Sequence, residues 1–368
     1  MTIPRIDKIY MNLLEKIKNN QRLNFNEALS LYDMNLFELG EIANDIRQKF
    51  NGKKVYFNAN RHINPTNLCA DVCQFCAFSA HRKNEYAYTM SHEEIMKIVE
   101  QTVARGTKEV HIVSAHNANV SWQWYLEIFK KIKEKYPFLH VKAMTAAEVD
   151  YLHRKDGFSY DEVLDKMIEY GVDSMPGGGA EIFDEEIRKQ ICKTKVGSQN
   201  WLEIHRLWHK RGKESNATML FGHIEDRSHR IDHIFRIRDL QDEALKNDKG
   251  GFNAFIPLVY QRENNYLKIE KYLGAEEILK TVAISRILLD NVKHIKAYWA
   301  TMTLKLAMVA QEFGCDDLDG TIEKESIQSS AGAKSKNGES IKDFIDLIKS
   351  SNLIPVERDS LYNELKIY

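Results

Sequence analysis

Asn64–Phe78 reads NPTNLCADVCQFCAF, and it places three of the five cysteines of this 368-residue chain within eight positions, at Cys69, Cys73 and Cys76. A short apolar run, Val55–Asn58, precedes the stretch. An amphipathic helix follows, opened by Ser91 and Glu94 as a capping box and stopped by Gly106. The same alternation continues outward. Short runs at Glu109–Ser114, His140–Met144, Val172–Met175, Asn216–Phe221, Phe252–Val259, His294–Tyr298 and Asp317–Gly320 are separated by helix-sized periodic segments. One such segment begins at Ser159 and Glu162 and closes at Gly171; another carries Trp201, Ile204, His205 and Trp208 on one face. Eight strands alternating with helices predict an α/β fold, a TIM-type (β/α)8 barrel over residues 51–327, with an open doubly wound sheet as the competing layout. In a barrel the cysteines fall in the first βα loop, at the C-terminal mouth where active sites form.

Two helical stripes, Leu13, Leu14 and Ile17, then Leu36, Leu39, Ile42, Ala43 and Ile46, predict a helical leader over residues 1–50. Residues 328–368 are read as a loop followed by a C-terminal helical segment packed on the barrel. The loop, Gln328–Ser340 (QSSAGAKSKNGES), is the one low-complexity patch. Following the eighth strand, it is expected either to close over the mouth as a lid or to serve as a surface connector, which composition alone does not separate.

Lys and Arg number 52 against 53 Asp and Glu, so no broad basic footprint for nucleic acid is expected. No run of about 18 apolar residues exists to span a membrane. The charged N-terminus lacks a signal-peptide core, so a cytoplasmic protein is expected. Five scattered cysteines do not form a secreted disulfide framework; three clustered thiols read as metal ligands. Zinc and iron–sulfur clusters both take thiolates. A structural zinc needs a fourth protein ligand, for which His62, His81 or Cys192 would serve, and would make the chain a metal-stapled binding protein without turnover. A 4Fe–4S cluster on three cysteines leaves one iron open for a substrate or cofactor.

Cys-x3-Cys-x-aromatic-Cys after a first strand resembles the radical S-adenosylmethionine (radical SAM) superfamily. NPTNLCADVCQFCAF is similar to the group that holds the two radical enzymes of the futalosine menaquinone pathway and a deazaflavin synthase. DSMPGGGAEIF (173–183), SNATMLFGHIE (215–225), GGFNAFIPL (250–258), LLDNVKHIKAYW (288–299), DDLDGTIEKE (316–325) and IPVERDSLY (354–362) resemble the aminodeoxyfutalosine synthase branch. The sister branch, the dehypoxanthine futalosine cyclases, shares the cysteines and GGGAE.

The resemblance implies a 4Fe–4S cluster and S-adenosylmethionine consumed as co-substrate. It implies a small-molecule substrate, 3-[(1-carboxyvinyl)oxy]benzoate, and a reducing partner such as flavodoxin or ferredoxin. Where relatives carry a Gly-Gly pair to hold the methionine moiety through backbone carbonyls, this chain has Ser114 and Ala115, and their histidine aligns with Asn117 rather than His116. Gly177, Gly178 and Gly179 would let the backbone approach the cofactor, and Glu181 would bond its ribose or amino group; a plain tight turn is the other reading. Phe75 would stack on the cluster or adenine, or simply pack the loop. His223 and Glu225 are candidates for proton transfer, or a surface ion pair. Lys296 and Tyr298 share a strand face, from which Lys296 would neutralise a substrate carboxylate if that face is interior; Lys142 is a weaker candidate of the same kind, and Thr145 a further polar contact.

Overall fold

The computed structural model describes residues 5–81, 83–247, 250–335 and 338–368. Its strands are β1 (Lys54–Asn58), β2 (Asn60–Ile63), β3 (Glu109–Ile112), β4 (His140–Ala143), β5 (Glu214–Phe221), β6 (Gly251–Val259), β7 (His294–Ile295), β8 (Asp317–Gly320), β9 (Ile354–Arg358) and β10 (Glu364–Ile367). Helices occupy each interval from β2 to β8, beginning with His92–Ala104 and Trp122–Lys135. The fold is α/β with parallel sheets.

β2, β3 and β4 pair in parallel, as do β5, β6 and β7. Single bridges join these sheets: Lys142 to Ser174, Met175 to Ser215, and Lys296 to Asp317 at the start of β8. β8 in turn pairs with β1, and the chain bends at Ala59 to run from β1 into β2. The parallel pairings therefore return to the strand where they began. Alternation along β5 shows what this achieves. Ala217 and Met219 are buried towards the helices, while Asn216, Thr218 and Leu220 line an internal cavity.

Three expectations change. The first strand continues past Asn58, so the cysteines follow β2. The run Val172–Met175 makes only the isolated bridges at Ser174 and Met175, because Pro176 has no N–H to extend a ladder and a glycine turn follows. The helical tail ends at Ser350; beyond Asn352, in the left-handed region at φ 57°, β9 pairs in parallel with β1 and β10 returns antiparallel to β9. Ile354, Pro355 and Val356 suit an extended edge better than a helix.

The N-terminal segment is helical at Arg5–Lys18, Phe25–Ser30 and Leu36–Asn51. It docks through buried polar contacts: Lys280 Nζ donates to the Tyr32 carbonyl at 2.9 Å, and Arg47 donates to the Lys54 carbonyl at 2.7 Å.

The C-terminal segment carries its own buried charge. Arg358 Nε donates to Asp317 Oδ2 at 2.6 Å, both side chains being fully buried, and the Tyr362 ring stacks on His294 at 3.6 Å. Removing one member of a buried ion pair leaves the other uncompensated. Arg358→Ala is expected to destabilise the chain by about 3–5 kcal/mol, read as a lowered midpoint in urea denaturation; a midpoint within error of the parent would show that the pair contributes nothing.

Candidate active site

The cysteine loop is tied down through its backbone. Cys69 N–H donates to the Ala80 carbonyl, Ala70 N–H to His116, and Gln74 N–H to Ile191 at 2.7 Å. The three thiols are free and open into one cavity of about 280 Å³ at the C-terminal ends of the strands. Burial pushes the Cys69 thiol up and the Cys73 thiol well up, the latter helped by Cys192, Cys76 and Glu181. Among the described residues, no three His, Cys, Asp or Glu side chains converge closely enough to hold a single metal ion. A mononuclear zinc site needs such convergence, whereas a 4Fe–4S cluster spreads its thiolates over separate irons. The donor set therefore fits a cluster.

Opposite the cysteines lies the glycine turn. A Cβ on Gly177 would stand 2.7 Å from the Asn216 carbonyl oxygen, and one on Gly179, at φ 94°, 2.8 Å from Ala147 Cβ. Side chains are thus excluded where the backbone presses on the first half of β5 and on the helix Ala146–Asp156, and Gly178 and Gly179 line the cavity. Glu181 follows, itself at φ 46°. Lys195 Nζ donates to Glu181 Oε1 at 2.7 Å and sits 5.8 Å from the Phe75 ring centre. Burial opposes the charge on both groups, but their mutual attraction wins: Glu181 lies below the usual carboxylate range and Lys195 well above its own.

Ser114 and Ala115 also border the cavity. Ser114 Oγ is engaged by the Tyr125 hydroxyl at 2.8 Å. Glu148 locks this corner. Its carboxylate accepts from the Ser114 N–H at 2.9 Å and from Thr145 N–H and Oγ1, both at 2.8 Å, joining the ends of β3 and β4.

The remaining candidates separate. Tyr298 lines the cavity, and its phenol is pushed well up by burial and by Glu325 and Asp319. Lys296 does face the interior, but it donates to Asp319 Oδ1 at 2.6 Å, and Asp319 rather than the lysine lines the cavity. Lys142 lines it with its charge matched by Glu109 at 2.8 Å. His223 and Glu225 border a different groove, beside Arg230 and Tyr272. Both His223 nitrogens are engaged: Nδ1 accepts from the Ile224 N–H at 2.8 Å and Nε2 donates to the Leu220 carbonyl at 3.1 Å. Glu225 accepts from the Gly222 and His223 amides and from Arg230. These two residues shape the turn after β5 and leave no group to exchange a proton with a ligand among the cysteines. Sequence reading missed Lys195, Glu148 and His111, and named His62 only as an alternative zinc ligand. Only Glu148 carried a signal, as the third residue after Thr145 in a capping box.

Residues 63–237 match the model of the radical SAM superfamily, and residues 249–367 that of the CofH/MqnC C-terminal region. The chain is 39% identical to an aminodeoxyfutalosine synthase of Thermus thermophilus, over 97% of its own length and 96% of the relative's. It is 34% identical to a cyclic dehypoxanthine futalosine synthase of Streptomyces coelicolor (97% and 89%) and 36% identical to a 5-amino-6-(D-ribitylamino)uracil–L-tyrosine 4-hydroxyphenyl transferase of Methanosarcina mazei (92% and 88%). Its fold matches that of methylornithine synthase with a TM-score of 0.73, at 16% identity over 93% and 97% of the two chains. The chain belongs to the radical SAM superfamily and, within it, to the group formed by these three relatives. It is accordingly an enzyme that carries a 4Fe–4S cluster and uses S-adenosylmethionine.

Each of Cys69→Ala, Cys73→Ala and Cys76→Ala is expected to abolish the iron–sulfur absorbance of anaerobically reconstituted protein. Cys192→Ala and Cys315→Ala should retain it, since both thiols are buried and neither lines the cavity; a cluster lost from either would break the assignment. Lys195→Met should keep the iron while weakening S-adenosylmethionine binding tenfold or more in equilibrium dialysis, because it leaves Glu181 buried and unpaired.

Proposed function

We propose that this chain catalyses the aminodeoxyfutalosine synthase reaction of menaquinone biosynthesis, on a closed (β/α)8 barrel in the cytoplasm. The observation that carries this reading is the 39% identity to the Thermus relative along almost the whole of both chains. The site agrees with it: the cysteines, the glycine turn and the Glu181–Lys195 pair all face one cavity deep enough for a second ligand. When bound, the cluster supplies the electron that releases methionine and a 5′-deoxyadenosyl radical from S-adenosylmethionine. The adenosyl carbon joins the enol-ether double bond of 3-[(1-carboxyvinyl)oxy]benzoate, the aryl group migrates from oxygen to carbon, and one carboxyl leaves, gives back the unpaired electron and takes up water as bicarbonate, so the net reaction is redox-neutral. The product is 6-amino-6-deoxyfutalosine. A small reducing protein such as flavodoxin or ferredoxin delivers the electron.

The chain's own residues bind, orient and screen. Cys69, Cys73 and Cys76 hold the cluster. Ser114, Ala115, Gly178 and Gly179 offer main chain to S-adenosylmethionine, Glu181 offers its carboxylate, and Phe75 offers an aromatic face. Tyr298 and the apolar Ile256 and Leu258 border the space left for an aromatic substrate and exclude water from it. Gln328 and Ala331 line the same cavity, so the segment Gln328–Ser335 covers part of the mouth, as a lid would. His223, Glu225 and Lys296 act as positioning residues behind this surface.

Anaerobic turnover with the enol ether, followed by mass spectrometry, tests the reading. The expected product carries the whole adenosyl group. Free 5′-deoxyadenosine formed from a nucleoside-like substrate, with no adenosylated product, would instead mark the cyclase reaction of the 34% identical relative.

A further inference from the structure

Two facing histidines line the same cavity as the cysteines. His62 on β2 and His111 on β3 are register partners. His111 Nδ1 and His62 Nε2 lie 3.2 Å apart, with the rings edge to face at 4.5 Å. Both line the cavity, and His111 Nε2 is buried with no hydrogen-bond partner among the described residues. A buried donor or acceptor left unmatched in this way costs free energy, so a ligand that engages the pair gains it back.

The charges around the histidines make the requirement sharper. Lys142 is matched by Glu109 and Lys195 by Glu181. Asp319 is matched by Lys296, and Asp71 by His116 at 2.7 Å. Glu325 is turned to the amides of Ile327, Gln328 and Ser329. Among the described residues that line the cavity, no cation is left without an anion. A dianionic substrate would enter a space whose positive charges are already committed. The imidazoles are the neutral groups there that can acquire charge.

We propose that His62 and His111 form the subsite for the aryl carboxylate of the substrate, and that binding of this carboxylate brings about one proton onto the pair. This rests on the function proposed above. The alkene must meet the adenosyl carbon beside the cysteines and the glycine turn, so the ring carboxylate, at the far end of the molecule, points down towards the histidines. A proton on one ring is shared across the 3.2 Å contact, and the other ring's outer nitrogen donates to the carboxylate. Without ligand the pair is neutral. Burial pushes both imidazoles down, with Lys142 acting in the same direction and Glu109 and Asp319 opposing it on both rings; Glu325 also opposes it on His62. A bound anion reverses this balance, raising the pKa of the pair, so affinity falls as pH rises, by up to tenfold per unit between the free and bound values.

The test uses the cluster-loaded enzyme and calorimetry in two buffers of different ionisation enthalpy. The probes are 3-(carboxymethoxy)benzoate, a dicarboxylate without the reactive double bond, and phenoxyacetate, which lacks the ring carboxylate. At pH 8 the dicarboxylate should bind with uptake of about one proton, and phenoxyacetate should bind without any. His62→Asn and His111→Asn should retain the iron–sulfur absorbance, abolish the uptake and weaken the dicarboxylate tenfold or more, while leaving phenoxyacetate within twofold. Absence of proton uptake in the parent enzyme, or equal uptake in both variants, overturns the proposal. Failure of the reaction reading is separately visible: the parent would bind the dicarboxylate with its proton yet form no adenosylated product from the enol ether.

Discussion

Charge inside a ring of strands must be answered by opposite charge, because moving a single ion out of water costs several kcal/mol. This chain answers it repeatedly. Arg358 meets Asp317, Lys296 meets Asp319, Lys142 meets Glu109, and Lys195 meets Glu181. Each pair joins segments distant in sequence except the last, whose members are separated by one short helix. The pairs set the position of β7 against β8, of β3 against β4, and of the C-terminal segment against β8. They also fix the character of the cavity above them. Its walls are largely apolar, each lysine among its described lining residues is matched by an anion, and the polar groups left open to a ligand are main chain, phenol, imidazole and thiol.

The parts of the fold that depend on local chemistry were legible in the chain. Capping boxes at Ser91–Glu94 and Ser159–Glu162 start helices as expected, and the apolar runs become strands or bridges in the expected order. The three cysteines were recognisable because their spacing is itself the signal, and the glycine turn because only glycine tolerates the approach of Asn216 and Ala147. Side-chain parity was also readable: Lys296 does share an inward face with Tyr298. What parity could not reveal is that Asp319, on the neighbouring strand, takes up the Lys296 charge, or that His223 closes onto the backbone of its own turn. The Lys296–Asp319 partnership is set by register between strands, which a single chain does not display, and the His223 contact by the fold of the turn after β5.

The same limit explains the tail. The amphipathic pattern of Ile341–Ser350 was extrapolated through IPVERDSLY, yet the free edge of β1 recruits this stretch into a sheet. Its extended conformation is stabilised by a strand about 300 residues earlier, through Lys54–Ile354 and Phe57–Glu357 pairing. Local propensity was a weak guide there because tertiary pairing decided the outcome.

That pairing has a consequence for how the molecule is made. β1 is among the first strands to leave the ribosome, and both strands that flank it, β8 and β9, are among the last. Throughout synthesis its two edges have no partner, while the helices and the inner sheets can already assemble in order of appearance. Closure is therefore a terminal event, governed by contacts of very long sequence separation and slow for that reason. The cysteine loop follows the strand that continues β1, so its scaffold is complete only once β8 and β9 have docked beside that strand.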